Sequence, residues 1–276
     1  MSDLIQLMIP PFAAGLVILS IHAYLGLHVI ARGVIFVDLA FAQIAALGTT
    51  VGLLAGVEHG TPLSLLFAFG FTLLGALIFS FSRMERSIVP QEAIIGITYV
   101  VASAAVILLA GLTAEGAEHI RETLTGTLIW VGWPEIVRMA VVYACLGVFY
   151  YVYRRPLFGV SFNRTSPDRG RRWDFFFYLS FGVAISLSVG VAGVLLVFSL
   201  LVIPAVVAFL FTSRFNRALL LAWATGALAL VAGLVVSFTR DIATGPLLVV
   251  AYGVVLVLAF VVRAVLKPSP GDKVSF

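Results

Sequence analysis

Long apolar segments recur along the whole chain and are separated by short stretches that carry most of the polar residues. A helix needs roughly 20 apolar residues to cross the hydrocarbon core of a bilayer, and most of these segments come near that length. We therefore predict an all-α fold, a polytopic transmembrane helical bundle with about eight to nine membrane segments that forms a single domain over residues 1–276. The apolar segments fall near residues 4–30, 34–55, 63–82, 93–112, 137–153, 175–190, 194–211, 218–238 and 246–265.

Two neighbouring apolar segments, 175–190 and 194–211, are joined only by Val191-Ala192-Gly193. Each is short for ~30 Å of hydrocarbon, because a helix rises only ~1.5 Å per residue. We therefore expect one of the two to be a re-entrant or broken helix.

Two polar stretches between apolar segments also suggest local structure. The stretch from Glu118 to Pro134 is too polar at its start to span, so we place it as a lateral element at the outer interface, where Trp130 and Trp133 suit an aromatic belt.

The long basic loop from Arg154 to Arg172 has two interpretations. Its arginines can set topology and contact anionic lipid head groups, or the loop can hold a short helix that docks onto a cytoplasmic motor subunit.

Composition and charge agree with a membrane protein. Of the 276 residues, 62% are hydrophobic and only 11% are charged, and a soluble domain of this length could not bury so much apolar surface. The net charge of +4 reflects topology, and the positive-inside rule places the N-terminus outside and the C-terminus in the cytoplasm. The basic loops carry Arg32, Arg83 with Arg86, Arg154 to Arg172, Arg214 with Arg217, and Arg263 with Lys267, whereas the alternate, mostly acidic loops carry Glu58, the cluster Glu115 to Glu122, and Asp241.

The chain contains no sequence motif of a familiar enzyme. It has no GxxxxGK[ST] loop for nucleotide phosphates and no HExxH pair, and Cys145 is its one cysteine. We therefore predict that the chain does not hydrolyse nucleotide by itself, carries no recognisable zinc site, is not an enzyme and holds no tight cofactor. Uphill transport would draw its energy from a partner or from an ion gradient.

Four stretches, in the expected order, carry a family resemblance. Gly26 to Gly48 aligns without gaps on a signature of the form G-x-x-x-x-x-R-R-hydrophobic-GDALAH-A-x-x-x-G. Residues 191–208 are similar to VGVLLVSALLIIPAATA, residues 92–96 to D-x-x-I-G, and residues 241–246 to D-x-P-x-G-[AP]. Together they resemble the membrane permeases of metal-uptake ABC transporters, the zinc, manganese and iron importers.

The resemblance implies a permease subunit that works as a homodimer in the bacterial inner membrane. A separate ABC ATPase subunit would hydrolyse ATP at the basic face, and an extracytoplasmic metal-binding protein would deliver the cargo at the outer face. A divalent transition-metal ion, zinc, manganese or iron, would be the transported substrate, and ATP would bind only to the partner subunit.

The chain departs from the signature at the residues that the family associates with metal. The acidic residue of GDALAH falls at Leu39, its glycine is replaced by Asp38, and its histidine by Gln43. The metal role of that Asp/His pair therefore does not transfer to these positions.

Spacing along the first two helices suggests candidate metal ligands independently of the family. In a hairpin turning near Arg32, His28 and Asp38 would both lie ~6–8 Å from the turn, and His22 and Gln43 would both lie ~15 Å from it. Imidazole, carboxylate and amide oxygen suit the passage of a divalent metal. The candidate metal residues are thus His22, His28, Asp38 and Gln43.

Structural roles are the alternative for each of these residues. Buried His22 and Gln43 can simply link helices through hydrogen bonds, and Arg32, one turn from His28, can hold Asp38 in an ionic cluster. Glu92 opens a helix, where an acidic residue complements the helix dipole.

Two function classes compete with the ATP-driven importer. One is a secondary metal transporter that uses a proton gradient through His22, His28 and Asp38. The other is a non-transporting structural or sensory membrane subunit. Neither explains why the second and seventh apolar segments resemble the permease family.

Overall fold

A computed structural model describes residues 2–58, 61–82, 88–112, 116–162 and 167–266. Arg83, Arg86, Glu115 and Lys267, and the side chains of Glu118 and His119, lie outside this description. The described part contains ten α-helices and one 3-10 turn, and eight of the helices are long and apolar enough to cross a membrane. The elements are α1 (Ser2–Arg32), α2 (Val37–Leu54), α3 (Pro62–Ser82), α4 (Gln91–Ala110), α5 (Gly116–Thr125), the 3-10 turn Leu128–Trp130, α6 (Trp133–Val152), α7 (Arg154–Phe162), α8 (Pro167–Phe211), α9 (Phe215–Arg240) and α10 (Thr244–Val265).

The longest helix, α8, is interrupted at Gly193, whose φ of 75° and ψ of 159° are not helical. The ring of His28 on α1 lies 6.1 Å from the ring of Phe177 in the first part of α8. Gly26, two residues earlier on α1, lies directly against the carbonyl group of Leu201 in the second part. In a straight helix Phe177 and Leu201 would be ~36 Å apart, so the chain folds back at Gly193.

α8 therefore consists of two antiparallel arms, residues 167–192 and 194–211. Within the described residues, eight candidate helices, one of which contributes two arms, give nine candidate crossings. This confirms the predicted all-α bundle of eight to nine membrane segments. The expectation that one of these two segments is re-entrant or broken is wrong, because the non-helical residue of α8 is Gly193 at the junction and both arms are continuous helices. The first arm gains the length to cross because its helix begins at Pro167.

The first arm of α8 lies between α1 and α2. Phe177 on this arm packs against His28, and Phe181, one turn later, has its ring 5.9 Å from that of Phe41 on α2. α2 packs on α3, α4 and α8, whereas α1 packs on α6, α7, α8 and α9. The predicted side-by-side hairpin of α1 and α2 is therefore wrong, because a later segment of the chain separates the two helices beyond their connecting turn.

The bundle has two chemically different ends. The basic end contains the C-terminal ends of α1 and α10 and the N-terminal ends of α7 and α9. Arg32 at the end of α1 contacts the start of α8, and Arg263 near the end of α10 donates to the carbonyl oxygen of Leu210. The opposite end holds the Gly193 turn and the start of α10. We name the ends by these residues: Arg32, Arg154, Arg214 and Arg263 at the basic end, and Glu58, Glu122, Glu135 and Asp241 at the opposite end.

The predicted lateral element, α5 with the 3-10 turn, covers the fold-back of α8 at the opposite end. The backbone N–H of Thr127 donates to the carbonyl oxygen of Val191 at 3.0 Å. A Cβ on Gly126 or on Gly193 would collide with the backbone of the other segment, and both residues have positive φ. Glycine is required at both positions because only glycine adopts this conformation without strain and allows so close an approach. The side chain of Trp130, in the 3-10 turn of the same element, does not pack into the bundle and is 78% exposed.

Candidate functional site

His22 lies fully buried in the middle of the bundle, and protein groups occupy both of its ring nitrogens. Nδ1 donates to the carbonyl oxygen of Ile18 at 2.9 Å, and Nε2 lies 3.2 Å from the hydroxyl of Ser188 on the first arm of α8. The hydroxyl of Tyr143 on α6 also hydrogen-bonds Ser188. A metal could reach His22 only by displacing Ser188, so this histidine links α1, α6 and α8 in the manner of a packing residue.

Gln43 is not brought to His22, although the predicted hairpin would have paired them. Gln43 is 7% exposed on α2, and no hydrogen bond joins it to His22 within the described residues. The separation of α1 from α2 by the first arm of α8 is the physical reason.

His28 and Arg32 belong to a buried network at the basic end. His28 Nδ1 and Arg32 Nε both contact the hydroxyl of Ser161 on α7, at 2.8 Å and 2.9 Å, and Arg32 Nη1 donates to Asp174 at 2.7 Å. The Arg32 guanidinium also lies over the ring of Phe177, 3.7 Å from its centroid. The His28 ring is surrounded by aromatic rings of four elements: Tyr24, Phe158, Phe162, Phe177 and Phe215.

Asp38 lies apart from this network. Its side chain is 2% exposed, and its Oδ1 has no hydrogen-bond partner in the described part of the chain. The guanidinium of Arg32 pairs with Asp174, and within the described residues no ion pair joins it to Asp38. The predicted contact between His28 and Asp38 and the alternative Arg32–Asp38 cluster are therefore both absent from this part of the chain.

Glu92, at the start of α4, contacts the beginning of α2. Its Oε1 accepts a hydrogen bond from the backbone N–H of Phe36 at 3.1 Å, and its Oε2 is shielded and unpartnered in the described structure. The dipole role assigned to Glu92 from sequence thus extends to a second helix, since it caps α2 as well as opening α4.

A cavity of about 410 Å³ lies at the opposite end, between α2, α3, α5, α6 and the first arm of α8. Sequence reasoning did not identify it, because its polar groups come from five elements that are far apart in the chain. Glu135 and Arg138, three residues apart at the start of α6, were the available signal. The polar lining comprises Thr49, Ser64, Glu122, Thr123, Thr127, Glu135, Arg138 and Ser186.

The described residues contain no cluster of three or more His, Cys, Asp or Glu side chains that could hold a metal ion. The polar groups instead form separate layers, with the cavity at one end, His22 with Ser188 in the middle, and Asp38 with Glu92 at the other end. Such isolated polar groups inside an apolar bundle are typical of proteins that move a solute across a membrane.

A bundle with nine candidate crossings among the described residues, and with polar groups at three depths, defines the class as a multi-pass membrane permease. The sequence profile of the ABC 3 transport family matches residues 4–263. The chain therefore belongs to the ABC 3 transport family, which confirms the resemblance to ABC permeases.

Curated relatives cover most of the chain at low identity. The manganese import system permease protein ScaB of Streptococcus parasanguinis is 24% identical over 85% of this chain and 83% of its own length. The manganese transport system membrane protein MntC of Listeria innocua is 22% identical over 87% and 85%. The chelated iron transport system membrane protein YfeC of Yersinia pestis is 24% identical over 74% and 71%.

Two solved structures share the fold. PsaBC from Streptococcus pneumoniae in complex with Fab superposes with a TM-score of 0.76 and 20% identity, covering 94% of this chain and 95% of that chain. An inward-facing putative metal-chelate type ABC transporter gives a TM-score of 0.65 at 18% identity, with 93% and 85% covered. At these identities, the two structures show that the chain shares their fold.

Proposed function

We propose that the chain forms the membrane pore of an ATP-driven importer of divalent transition-metal ions, with manganese or iron as the first cargo to test and zinc next. The family match over residues 4–263 supports this, together with relatives named for manganese import and for chelated iron transport. The metal is the transported substrate, and ATP is hydrolysed by a separate ABC ATPase subunit. Two copies of the chain form the pore in the bacterial inner membrane.

The observation that carries the proposal is the polar cavity at the opposite end. Glu122, Thr127 and Arg138 on its wall are exposed, so the cavity opens to the surface. Its hydroxyl and carboxylate oxygens suit hard divalent ions such as Mn²⁺. Its volume of about 410 Å³ accommodates a hydrated ion, because each water occupies about 30 Å³ in the liquid. An extracytoplasmic metal-binding protein would release its cargo here.

The ATPase subunit would bind at the basic end through α7. This helix buries Leu157 and Val160 against the bundle and exposes Arg154 and Arg155 at its start. Ser161 fixes its end to α1. A short helix attached in this way can transmit movement of a bound motor to α1 and α8. By the positive-inside rule the basic end is cytoplasmic, with the N-terminus outside and the C-terminus inside.

Among the four candidate metal residues, two have a fully buried ligand atom without a hydrogen-bond partner in the described part of the chain. Asp38 Oδ1 and His28 Nε2 have no partner within the described residues, whereas both nitrogens of His22 are engaged. We therefore place Asp38 first among the groups that contact the metal and His22 last, with Gln43 and His28 between them.

The test is metal accumulation, by elemental analysis, in importer-deficient cells that express the chain with its ATPase and binding-protein partners. Manganese or iron should rise under limitation of that metal, and the rise should vanish when the ATPase partner carries an inactivating substitution in its nucleotide site. A tagged chain should also co-purify with the ATPase in mild detergent.

Two results would contradict the proposal. Uptake that survives the inactive ATPase but collapses with an uncoupler would instead indicate the proton-coupled transporter. No accumulation of any metal by a stably assembled complex would indicate a non-transporting subunit or another cargo.

A further inference from the structure

We propose that the basic end carries a binding site for an anionic phospholipid, at the surface where the end of α6 meets the start of α8. The sequence of the basic loop between these helices suggests contact with anionic head groups but gives no position for it. In the structure, aromatic and charged side chains of both helices lie side by side at this surface. The proposal depends on the chain lying in a bilayer and not on the cargo that it transports.

Four aromatic side chains join the two helices at this surface. The ring of Tyr153 lies 5.3 Å from that of Trp173, which lies 6.0 Å from that of Phe176. Phe149 completes the group, because its ring lies 5.2 Å from that of Tyr153 and 6.4 Å from that of Phe176. We call these four residues the aromatic cluster. It connects the last turns of α6 to the first turns of the first arm of α8.

The aromatic cluster is open to the outside of the bundle. Tyr153 is 43% exposed and Phe176 is 44% exposed. Tyr151, two residues before Tyr153, is 70% exposed. Aromatic rings at the end of a membrane crossing are typical of the boundary between the hydrocarbon core and the lipid head groups. The cluster therefore offers an apolar surface at the depth where a lipid chain begins.

Two arginines flank the aromatic cluster. Arg154 directly follows Tyr153, and its guanidinium carbon lies 5.1 Å from the centroid of the Tyr151 ring, beside the last turn of α6. Arg172 directly precedes Trp173 and is exposed. Neither arginine forms an ion pair with a carboxylate of the described residues. A guanidinium that stacks on an aromatic ring keeps its N–H edge available, and that edge matches the geometry of a phosphate.

The depths of the aromatic and charged groups identify the occupant. Phe149 lies three residues before α6 ends at Val152, and Phe176 lies six residues after Gly170, where the apolar part of α8 begins. At ~1.5 Å per residue these rings are attached ~5–9 Å inside the crossing, whereas the two arginines lie within ~3 Å of its end. The occupant must therefore present an anion at the membrane surface and an apolar chain beneath it. A phospholipid with an anionic head group has this chemistry.

Two protein occupants match this surface less well. A soluble ATPase subunit could reach the arginines at the end of the crossing, but not the aromatic rings within it. A second copy of the chain, related by a two-fold axis through this surface, would bring identical arginines together, and like charges repel. An anionic lipid supplies the negative charge that both arginines lack.

The test measures how brominated lipids quench the fluorescence of Trp173 in the full chain, assembled with its ATPase and reconstituted into vesicles. The vesicles contain one fixed mixture of phosphatidylglycerol and phosphatidylcholine, and bromine is carried by the chains of one lipid or of the other. The surface charge is therefore the same in both samples. Trp173→Phe, measured in parallel, gives the fluorescence of the other tryptophans, which is subtracted. Trp173 should be quenched more strongly per brominated phosphatidylglycerol than per brominated phosphatidylcholine.

Removing either arginine should reduce this preference for the anionic lipid. Arg154→Gln and Arg172→Gln should each lower it about fivefold, the factor that corresponds to about 1 kcal/mol per arginine near an anionic surface. The matched control is Arg217→Gln, the same change at an exposed position of the same end. Arg217 lies on α9, whose main neighbours are α1, α8 and α10, and its variant should keep the native preference. All variants are compared as monodisperse complexes, so that a folding defect is recognised separately.

Three results would overturn the site. Equal quenching of Trp173 by the two labelled lipids in the native complex would show that no anionic lipid is selected. An equal loss of preference in Arg217→Gln would indicate a general attraction of the basic end and not a local site. Absence of quenching by either label would show that protein covers the aromatic cluster in the complex.

Discussion

Arg32 and Asp174 form an ion pair of 2.7 Å between the end of α1 and the first arm of α8, and their side chains are only 4% and 3% exposed. The pair is 142 residues apart in sequence. It fixes the register of two helices that the connecting loops leave free, and it removes the charge of Arg32 from the neighbourhood of Asp38.

Removing one partner of this pair should destabilise the protein strongly. Asp174→Ala leaves a buried guanidinium without its carboxylate, and loss of one member of a buried pair costs about 3–5 kcal/mol. The melting midpoint of the detergent-solubilised protein, followed by size-exclusion chromatography, should fall accordingly. The double variant Arg32→Leu/Asp174→Leu should recover part of that loss, and a double variant as unstable as the sum of the singles would argue against direct coupling.

Ser161→Ala should loosen α7 without unfolding the bundle. Its hydroxyl contacts both His28 and Arg32, and loss of such bonds costs about 1–3 kcal/mol. We expect weaker co-purification of the ATPase subunit and a lower yield of transport per ATP hydrolysed. Ser199→Ala is the control, because Ser199 is equally buried and donates only to Leu195 of its own helix. Equal behaviour of the two variants would remove the link between Ser161 and motor docking.

His22→Ala should act mainly on stability. The substitution removes the hydrogen bond between the imidazole and Ser188, at a cost of about 0.5–1.5 kcal/mol. Ser188 keeps its contacts with Tyr143 and Ala184, and the lost side chain leaves a cavity at a fully buried position. Uptake per assembled complex should fall less than it does for Asp38→Asn. Abolished uptake in a His22→Ala complex of native stability, with Ser188→Ala fully active, would instead place His22 in contact with the metal.

Gly193→Ala should disrupt the fold-back of α8. At φ 75° and ψ 159° the backbone is in a region that is essentially restricted to glycine, so a side chain costs about 1–3 kcal/mol in strain. The added Cβ would also collide with the backbone of Gly126. The fraction of protein recovered as a monodisperse peak should drop sharply. Gly190→Ala, three residues earlier, adds a Cβ that meets nothing within 4 Å and should be recovered normally. Similar recovery of both variants would contradict the requirement for glycine at the turn.

The periodic spacing of apolar segments was enough to predict the helices, because a membrane span must satisfy its backbone internally and therefore appears as a continuous apolar run. The lateral element over residues 118–134 and a short helix in the basic loop were also foreseeable, since each interrupts that pattern with polar residues. The confirmed family resemblance depended on short motifs within those same runs.

The neighbours of each span were not foreseeable from the pattern. An apolar helix face can pack against any other apolar face in lipid. The sequence therefore did not predict that the first arm of α8 separates α1 from α2. That single insertion explains why His28 meets Ser161 and not Asp38, and why His22 meets Ser188 and not Gln43. Asp174, an acid at the edge of an apolar segment, was the one visible signal of a distant partner for Arg32.

The fold-back at Gly193 also determines how reporters at the two termini must behave. It makes the number of crossings odd, so α1 begins at the opposite end while α10 closes at the basic end beside Leu210. Epitope tags fused to the two ends of the chain would therefore face different compartments. A protease added to sealed, uniformly oriented vesicles should remove one tag and spare the other, whereas a chain that crossed straight through α8 would lose both or neither.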